Sequence, residues 1–152
     1  MAKRKIIQVP DELLKKKCRE VENFDERLFE LLDDMKETLI AADGVGLAAP
    51  QVAVLKRACI IMTEDLFLEA INPKIISQKG TQKGIEGCLS VKGRSGEVVR
   101  PYEITFEAYD RNGNKYTKTV EGFNARACCH EFDHLDGILY IDKCESKEDE
   151  NY

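Results

Sequence analysis

No apolar run in this 152-residue sequence approaches the ~20 residues that a membrane-spanning helix needs. The N-terminus is charged at Lys3-Arg4-Lys5 and lacks the apolar core of a secretory signal. Both absences predict a cytoplasmic protein. Blocks of lysine and arginine are missing too: Lys3-Arg4-Lys5 and Lys15-Lys16-Lys17 are short, and the formal net charge is -5. Direct nucleic-acid binding is therefore not expected. No internal repeat, linker or low-complexity segment breaks the chain, whose length suits about one domain with a real core. Histidine is scarce, with two residues, whereas cysteine is not, with six. Three disulfides are not expected, because a domain of this size needs no staples and the cytosol keeps thiols reduced. Cys18, Cys59, Cys128, Cys129 and Cys144 read as small buried or half-buried hydrophobes. Cys88 sits in a different context.

Both histidines fall in one stretch, Cys128-Cys129-His130-Glu131-Phe132-Asp133-His134-Leu135-Asp136-Gly137. On a helix His130 and His134 lie about one turn apart and leave the same face, a spacing that lets two imidazoles grip one metal ion. Glu131 can then act as general base toward a water on that metal. A catalytic metal usually takes three protein ligands, so one is missing. A third histidine six residues after the second is ruled out, because position 140 is tyrosine although Gly137 is in place. A glutamate from a distant downstream helix fits poorly, since only eighteen residues follow His134. Cys128 and Cys129 adjoin His130, but helix neighbours point in divergent directions. Cys88 is the best candidate: thiolate suits Zn²⁺ or Fe²⁺, and this one lies in a glycine-flanked turn beside Glu86.

Around that stretch the chain predicts an α+β single domain, with antiparallel-rich sheets packed around a central metal-binding helix. Asp11 is placed to cap a short helix running to about Cys18. Phe24-Asp25 starts a longer one with Leu28, Leu31, Leu32, Met35 and Leu39 at helical spacing, ended by Ala41-Ala42-Asp43-Gly44 with Gly44 as a left-handed cap. The glycines and alanines of Gly44-Val45-Gly46-Leu47-Ala48-Ala49-Pro50-Gln51 suit either close approach of a ligand or strand, or a tight turn. Ala58 to Met62 predicts a buried strand and Thr63 to Leu68 a turn. Ala70 to Ile76 predicts a second strand, at an edge because of Pro73. Gln78 to Gly84 and Gly93 to Gly96 are expected to be loops. Tyr102 to Tyr109 alternates, Asp110-Arg111-Asn112-Gly113-Asn114 signals a hairpin, and Lys115 to Val120 returns. The metal-binding helix is expected over Phe123 to about Gly137, with Ile138 to Ile141 packing after it. The acidic tail from Glu145 is expected to fray.

Three segments, Gly44 to Gln51, Glu86-Gly87-Cys88-Leu89-Ser90 and His130-Glu131-Phe132-Asp133-His134-Leu135, resemble in order the three signature motifs of the peptide deformylase family. The similarity covers nearly the whole of residues 1–152, including Asn72-Pro73, Val99-Arg100-Pro101 and Gly122 through Asp142. It implies a single catalytic domain that removes the formyl group from the N-terminal formylmethionine of nascent polypeptides, by attack of a metal-bound water on the formyl carbonyl. The metal implied is Fe²⁺, one per chain, with Zn²⁺, Ni²⁺ or Co²⁺ in preparations. The implied ligands are Cys88, His130 and His134. Glu131 becomes the acid/base, and the Gln51 amide and the Leu89 backbone N–H become donors to the oxyanion. Gly46 positions the substrate, and Val45, Phe123, Arg126 and Ala127 border the methionine pocket. Glu86 and Arg100 resemble a structural ion pair beneath the site. The expected partners are formylated nascent peptides and, transiently, the ribosome, with the protein a monomer.

Three positions depart from the family pattern: Lys92 where proline is common, Cys129 where glutamine is usual, and the Gly93-Arg94-Ser95-Gly96 segment. None is a metal ligand or Glu131, so activity is expected to survive. Two other readings remain at this level. One is a zinc endopeptidase on the same His-Glu-x-x-His helix, against which stand the missing downstream ligand and the presence of Glu86 to Ser90. The other is a member that binds formylated peptides without turnover, against which stand Glu131 and Gln51.

Overall fold

The computed structural model describes residues 2–144, so the expected fraying from Glu145 onward lies outside the described residues. Its elements are two α-helices, α1 (Glu26–Ala42) and α2 (Phe123–Leu135), with seven strands: β1 (Gly46–Ala48), β2 (Ala58–Met62), β3 (Phe67–Lys79), β4 (Gln82–Cys88), β5 (Val91–Arg100), β6 (Glu103–Tyr109) and β7 (Lys115–Glu121). Five strands form one antiparallel sheet in the order β1-β2-β3-β6-β7, and β4 pairs with β5 as a separate hairpin. This is the α+β fold the sequence predicts. No described helix is long and apolar enough to cross a membrane.

The sheet buries both faces at its β2 end. Successive strand side chains point to opposite sides. Cys59 and Ile61 therefore join Phe106, Ala108, Cys128, Phe132 and Leu135 under α2, while Ala58 and Ile60 join Leu28, Leu32, Met35 and Leu39 under α1. On β6 the alternation holds, with Ile104, Phe106 and Ala108 buried. All six cysteines are free thiols. Burial pushes the Cys18, Cys128 and Cys129 thiols up to about 11, 12 and 11, as befits residues that serve as core filling.

Several boundaries differ from expectation, each for a local reason. The first helix is a single 3-10 turn, Glu12–Lys15; Asp11 does cap it, accepting from Leu13 N–H, but the chain is extended by Lys16 rather than helical to Cys18. Helix α1 ends through Asp43, at φ 55°, not through Gly44; a short polar side chain tolerates that left-handed geometry. Pro73 lies not on an edge but inside β3, between β2 and β6. A register shift between Ile71 and Lys74 takes Asn72 and Pro73 out of the ladder, so the missing N–H breaks no pairing. Strand β3 also begins at Phe67, within the expected turn. The expected Gln78 to Gly84 loop is strand on both sides of a turn at Gly80 and Thr81, and Gly93 to Gly96 lies within β5. Polar composition hid these strands because the hairpin stands largely in solvent. Helix α2 stops at Leu135, short of Gly137.

Candidate metal centre and active site

Helix α2 crosses the sheet with Arg126, His130 and His134 along one face, and β4 brings Cys88 to it as its last residue rather than in the turn beyond. The Sγ of Cys88 lies 3.4 Å from His134 Nε2, and one donor atom from each of Cys88, His130 and His134 falls within 4.8 Å of the others. With metal–sulfur and metal–nitrogen distances of about 2.3 and 2.0 Å, a tetrahedral site has a sulfur–nitrogen edge of roughly 3.5 Å. The observed spacing matches it, so one thiolate and two imidazoles fit a single transition metal.

The surroundings prepare both imidazoles. His130 Nδ1 donates to Glu86 Oε1 at 2.9 Å, which leaves its Nε2 as the ligand atom. His130 also stacks on Tyr140, with ring centroids 6.1 Å apart. Burial holds His134 well below its ordinary pKa, hence neutral and able to ligate. Burial alone would also lower His130, but the Cys88 sulfur and the Glu86 and Glu131 carboxylates outweigh it and raise the ring to about 10. Positive charge is favoured at this spot. Burial likewise works to raise Glu86; the Arg100 fork and His130 outweigh it and hold the carboxyl well below the usual range. The expected Glu86–Arg100 pair is present, with Arg100 Nε and Nη2 each 2.8 Å from the carboxylate.

Glu131 is 4% exposed, and its Oε1 has no hydrogen-bond partner among the described residues. Burial raises its carboxyl to about 7. Gly46 of β1 passes so close that a Cβ there would lie 2.6 Å from Glu131 Oε2. The glycine stretch holds parts of both readings: the chain turns at Asp43 and Gly44 between α1 and β1, and Gly46 admits a close approach, by a side chain of α2. Gln51 sits on a 3-10 turn after β1 (Ala49–Val52), where its Oε1 accepts from Ala48 N–H at 2.9 Å. Its Nε2 donates to Ser90 Oγ at 3.1 Å and more weakly to Cys88 Sγ at 3.6 Å.

A cavity of about 360 Å³ opens beside these groups, lined in part by Val45, Gly46, Gln51, Leu89, Phe123, Arg126 and Ala127. Of the residues expected to bind metal, act in catalysis or border the substrate, all but His134 line this cavity, and His134 sits just behind it against the Cys88 sulfur. Sequence reasoning missed Ile85, which is 67% exposed at the cavity mouth. It also missed Ser90 beside Gln51, and Gln8, whose Nε2 donates to the Leu89 carbonyl at 2.8 Å. Ser90 is the last residue of a recognised motif, but no local pattern could join Gln8 to a residue so far along the chain.

An α+β fold carrying two imidazoles of one helix, a strand cysteine and a buried carboxylate around a cleft has the layout of a metal-dependent hydrolase. The family model for polypeptide deformylase matches residues 3–150. The chain is 53% identical over 143 residues to a peptide deformylase of Caldicellulosiruptor bescii, covering 94% of this chain and 86% of that one. The crystal structure of a peptide deformylase from Legionella pneumophila is similar with a TM-score of 0.92 at 42% identity, over 97% of this chain and 89% of the other. That from Thermotoga maritima gives 0.93 at 35% identity, over 96% and 100%. The chain belongs to the polypeptide deformylase family, and it is an enzyme.

Proposed function

We propose that residues 1–152 form one catalytic domain that removes the formyl group from N-formylmethionyl peptides, with Cys88, His130 and His134 holding one Fe²⁺, replaceable by Zn²⁺, Ni²⁺ or Co²⁺. The observation that carries this reading is the clustering of those three donors beside a cavity that Cys88, His130, Glu131 and Gln51 line. When bound, the metal supplies Lewis acidity and brings the pKa of a water near neutrality. Glu131 takes a proton from the attacking water and returns one to the methionine nitrogen as the carbon–nitrogen bond breaks. Formate and a free amine result. Gln51 and the Leu89 N–H donate to the developing oxyanion. The hydrogen of Gln51 Nε2 that faces Cys88 is held loosely, whereas its partner is anchored on Ser90, so one donor stays free to serve. The Leu89 peptide is in turn held through its carbonyl by Gln8.

Val45, Phe123, Arg126 and Ala127 border the methionine side chain, and the Gly46 backbone aligns the peptide. The protein acts as a cytoplasmic monomer on nascent chains, in transient contact with the ribosome. The test compares formate release from formyl-Met-Ala with acetate release from acetyl-Met-Ala. The formyl peptide is expected to be much the faster, because the acetyl methyl must enter space that Gly46 and Glu131 already crowd. Comparable rates would point to a broader amidase. Gln51→Leu is expected to lower kcat by ~10²–10³ while sparing KM and metal content.

A further inference from the structure

Arg126 is 7% exposed, yet it is ion-paired inside the site where sequence reasoning places it only as a wall of the pocket. It stands four residues before His130, as His130 stands four before His134, so the three side chains form one row on successive turns of α2. The first two members of that row reach the same carboxylate. Glu86 Oε1 accepts from His130 Nδ1 at 2.9 Å and from Arg100 Nη2 at 2.8 Å; Oε2 accepts from Arg100 Nε at 2.8 Å and from Arg126 Nη1 at 2.7 Å. Two donors on each oxygen use all four acceptor sites of a carboxylate. Arg100 is itself pinned by Asp133 at 2.6 Å.

The backbone makes room for this arrangement. A Cβ on Gly84 would lie 2.8 Å from Arg126 Nη2 and 3.1 Å from its Cζ. The same guanidinium also reaches the Val98 carbonyl at 3.2 Å. Arg126 is therefore held from α2, β4 and β5 at once, with one strong charge-assisted bond directed at the group that orients His130.

We propose that Arg126 is a positioning residue for the metal centre: by completing the fourth hydrogen bond of Glu86 it fixes the plane of that carboxylate, and through it the ring of His130. Without Arg126 the Oε2 atom keeps one donor, and the carboxylate can swing about the Arg100 fork, carrying the Nδ1 acceptor away from the histidine. The inference rests on the ligand set proposed above. Because Arg126 also borders the pocket, altered turnover alone would not reveal this role; the metal does.

The experiment binds Co²⁺ alone to metal-free protein. It measures affinity by chelator competition and coordination geometry by the visible ligand-field bands, beside thermal melts. Arg126→Leu is expected to weaken Co²⁺ binding by ~10–100-fold, the range seen when the hydrogen-bond partners of metal-bound histidines are disturbed, and to shift the bands. Arg126→Lys keeps the charge without the fork and should lose less. Gly84→Ala leaves Arg126 in place but crowds its guanidinium, and should move affinity in the same direction. A merely structural arginine would lower the melting temperature and leave affinity and bands at their wild-type values; that result in folded variants overturns the proposal. If Arg126→Leu does not fold, Gly84→Ala decides in the same way. His134→Ala separates the two readings: if it binds Co²⁺ as tightly as the wild type, the ligand set itself is wrong and this inference falls with it.

Discussion

Two positions carry the sharpest expectations at the scale of single residues. Glu131→Gln preserves volume and removes the proposed proton carrier. Metal content should hold while turnover falls by ~10²–10⁴-fold, toward the larger value because one carboxyl serves both proton transfers. Formate release per bound metal checks this, and near-normal turnover would assign the proton to another group. Gly46→Ala tests the opposite property, the absence of a side chain. Its Cβ would meet the Glu131 carboxylate at 2.6 Å. Glu131 must then shift or the strand must retreat, so activity should drop at least tenfold with the ligands untouched. An active Gly46→Ala enzyme with unchanged metal content would show that the carboxylate has room to spare.

Elements are held to one another by polar ties as well as by apolar contact. The N-terminal segment is fastened to α1 at Asp34, which accepts from Ala2 N–H at 2.7 Å and from Arg4 Nε at 2.9 Å. Burial acts to raise the Asp34 carboxyl, but these donors outweigh it and its pKa is lowered on balance. A lowered folded-state pKa means stability that is present above the unfolded aspartate value of about 4 and is lost as pH falls through the folded value. Asp34→Asn should therefore melt below the wild type at pH 7, and the gap should narrow as pH falls below about 4. A gap independent of pH would contradict this. At the irregular middle of β3, Asn72 adopts φ 51° and exchanges two hydrogen bonds with the Val21 backbone, at 2.8 and 3.0 Å. Asn72→Ala would leave the Val21 N–H and carbonyl without these partners and the left-handed backbone unsupported, at a loss of about 1–3 kcal/mol in denaturant melts.

For the whole molecule, a metal held as proposed by Cys88, His130 and His134 would tie α2 to the β4–β5 hairpin, which is not part of the main sheet. A ligand bound only by the folded state stabilises by mass action, ~2.7 kcal/mol at a free concentration about 100-fold above Kd. Chelation should thus lower the melting temperature by several degrees, and Zn²⁺ or Co²⁺ should restore it in wild type but not in Cys88→Ala. Calorimetric scans at fixed protein concentration check this; equal melting temperatures with and without metal would argue against a bridging ion.

Much of this was legible without coordinates. The 3.6-residue spacing of Leu28, Leu32, Met35 and Leu39 and the alternation of Ile104, Phe106 and Ala108 define their elements locally, because each depends on neighbours within one or two turns. The spacing of His130 and His134 implies a shared metal for the same reason, and the ordered motifs imply the family. What tertiary structure alone decided lies where distant segments meet. Pro73 could enter a central strand only because the β3 register shifts beneath it. The polar Gln78 to Gly84 segment became strand by pairing with β5 and β6, and Gly46 acquired its purpose from a glutamate on another element. Gln8 behind Leu89 and Arg126 upon Glu86 belong to the same class. Sequence patterns encode how a side chain relates to its own helix or strand, whereas the partner of a hydrogen bond between elements is selected by packing, and packing is a property of the folded chain.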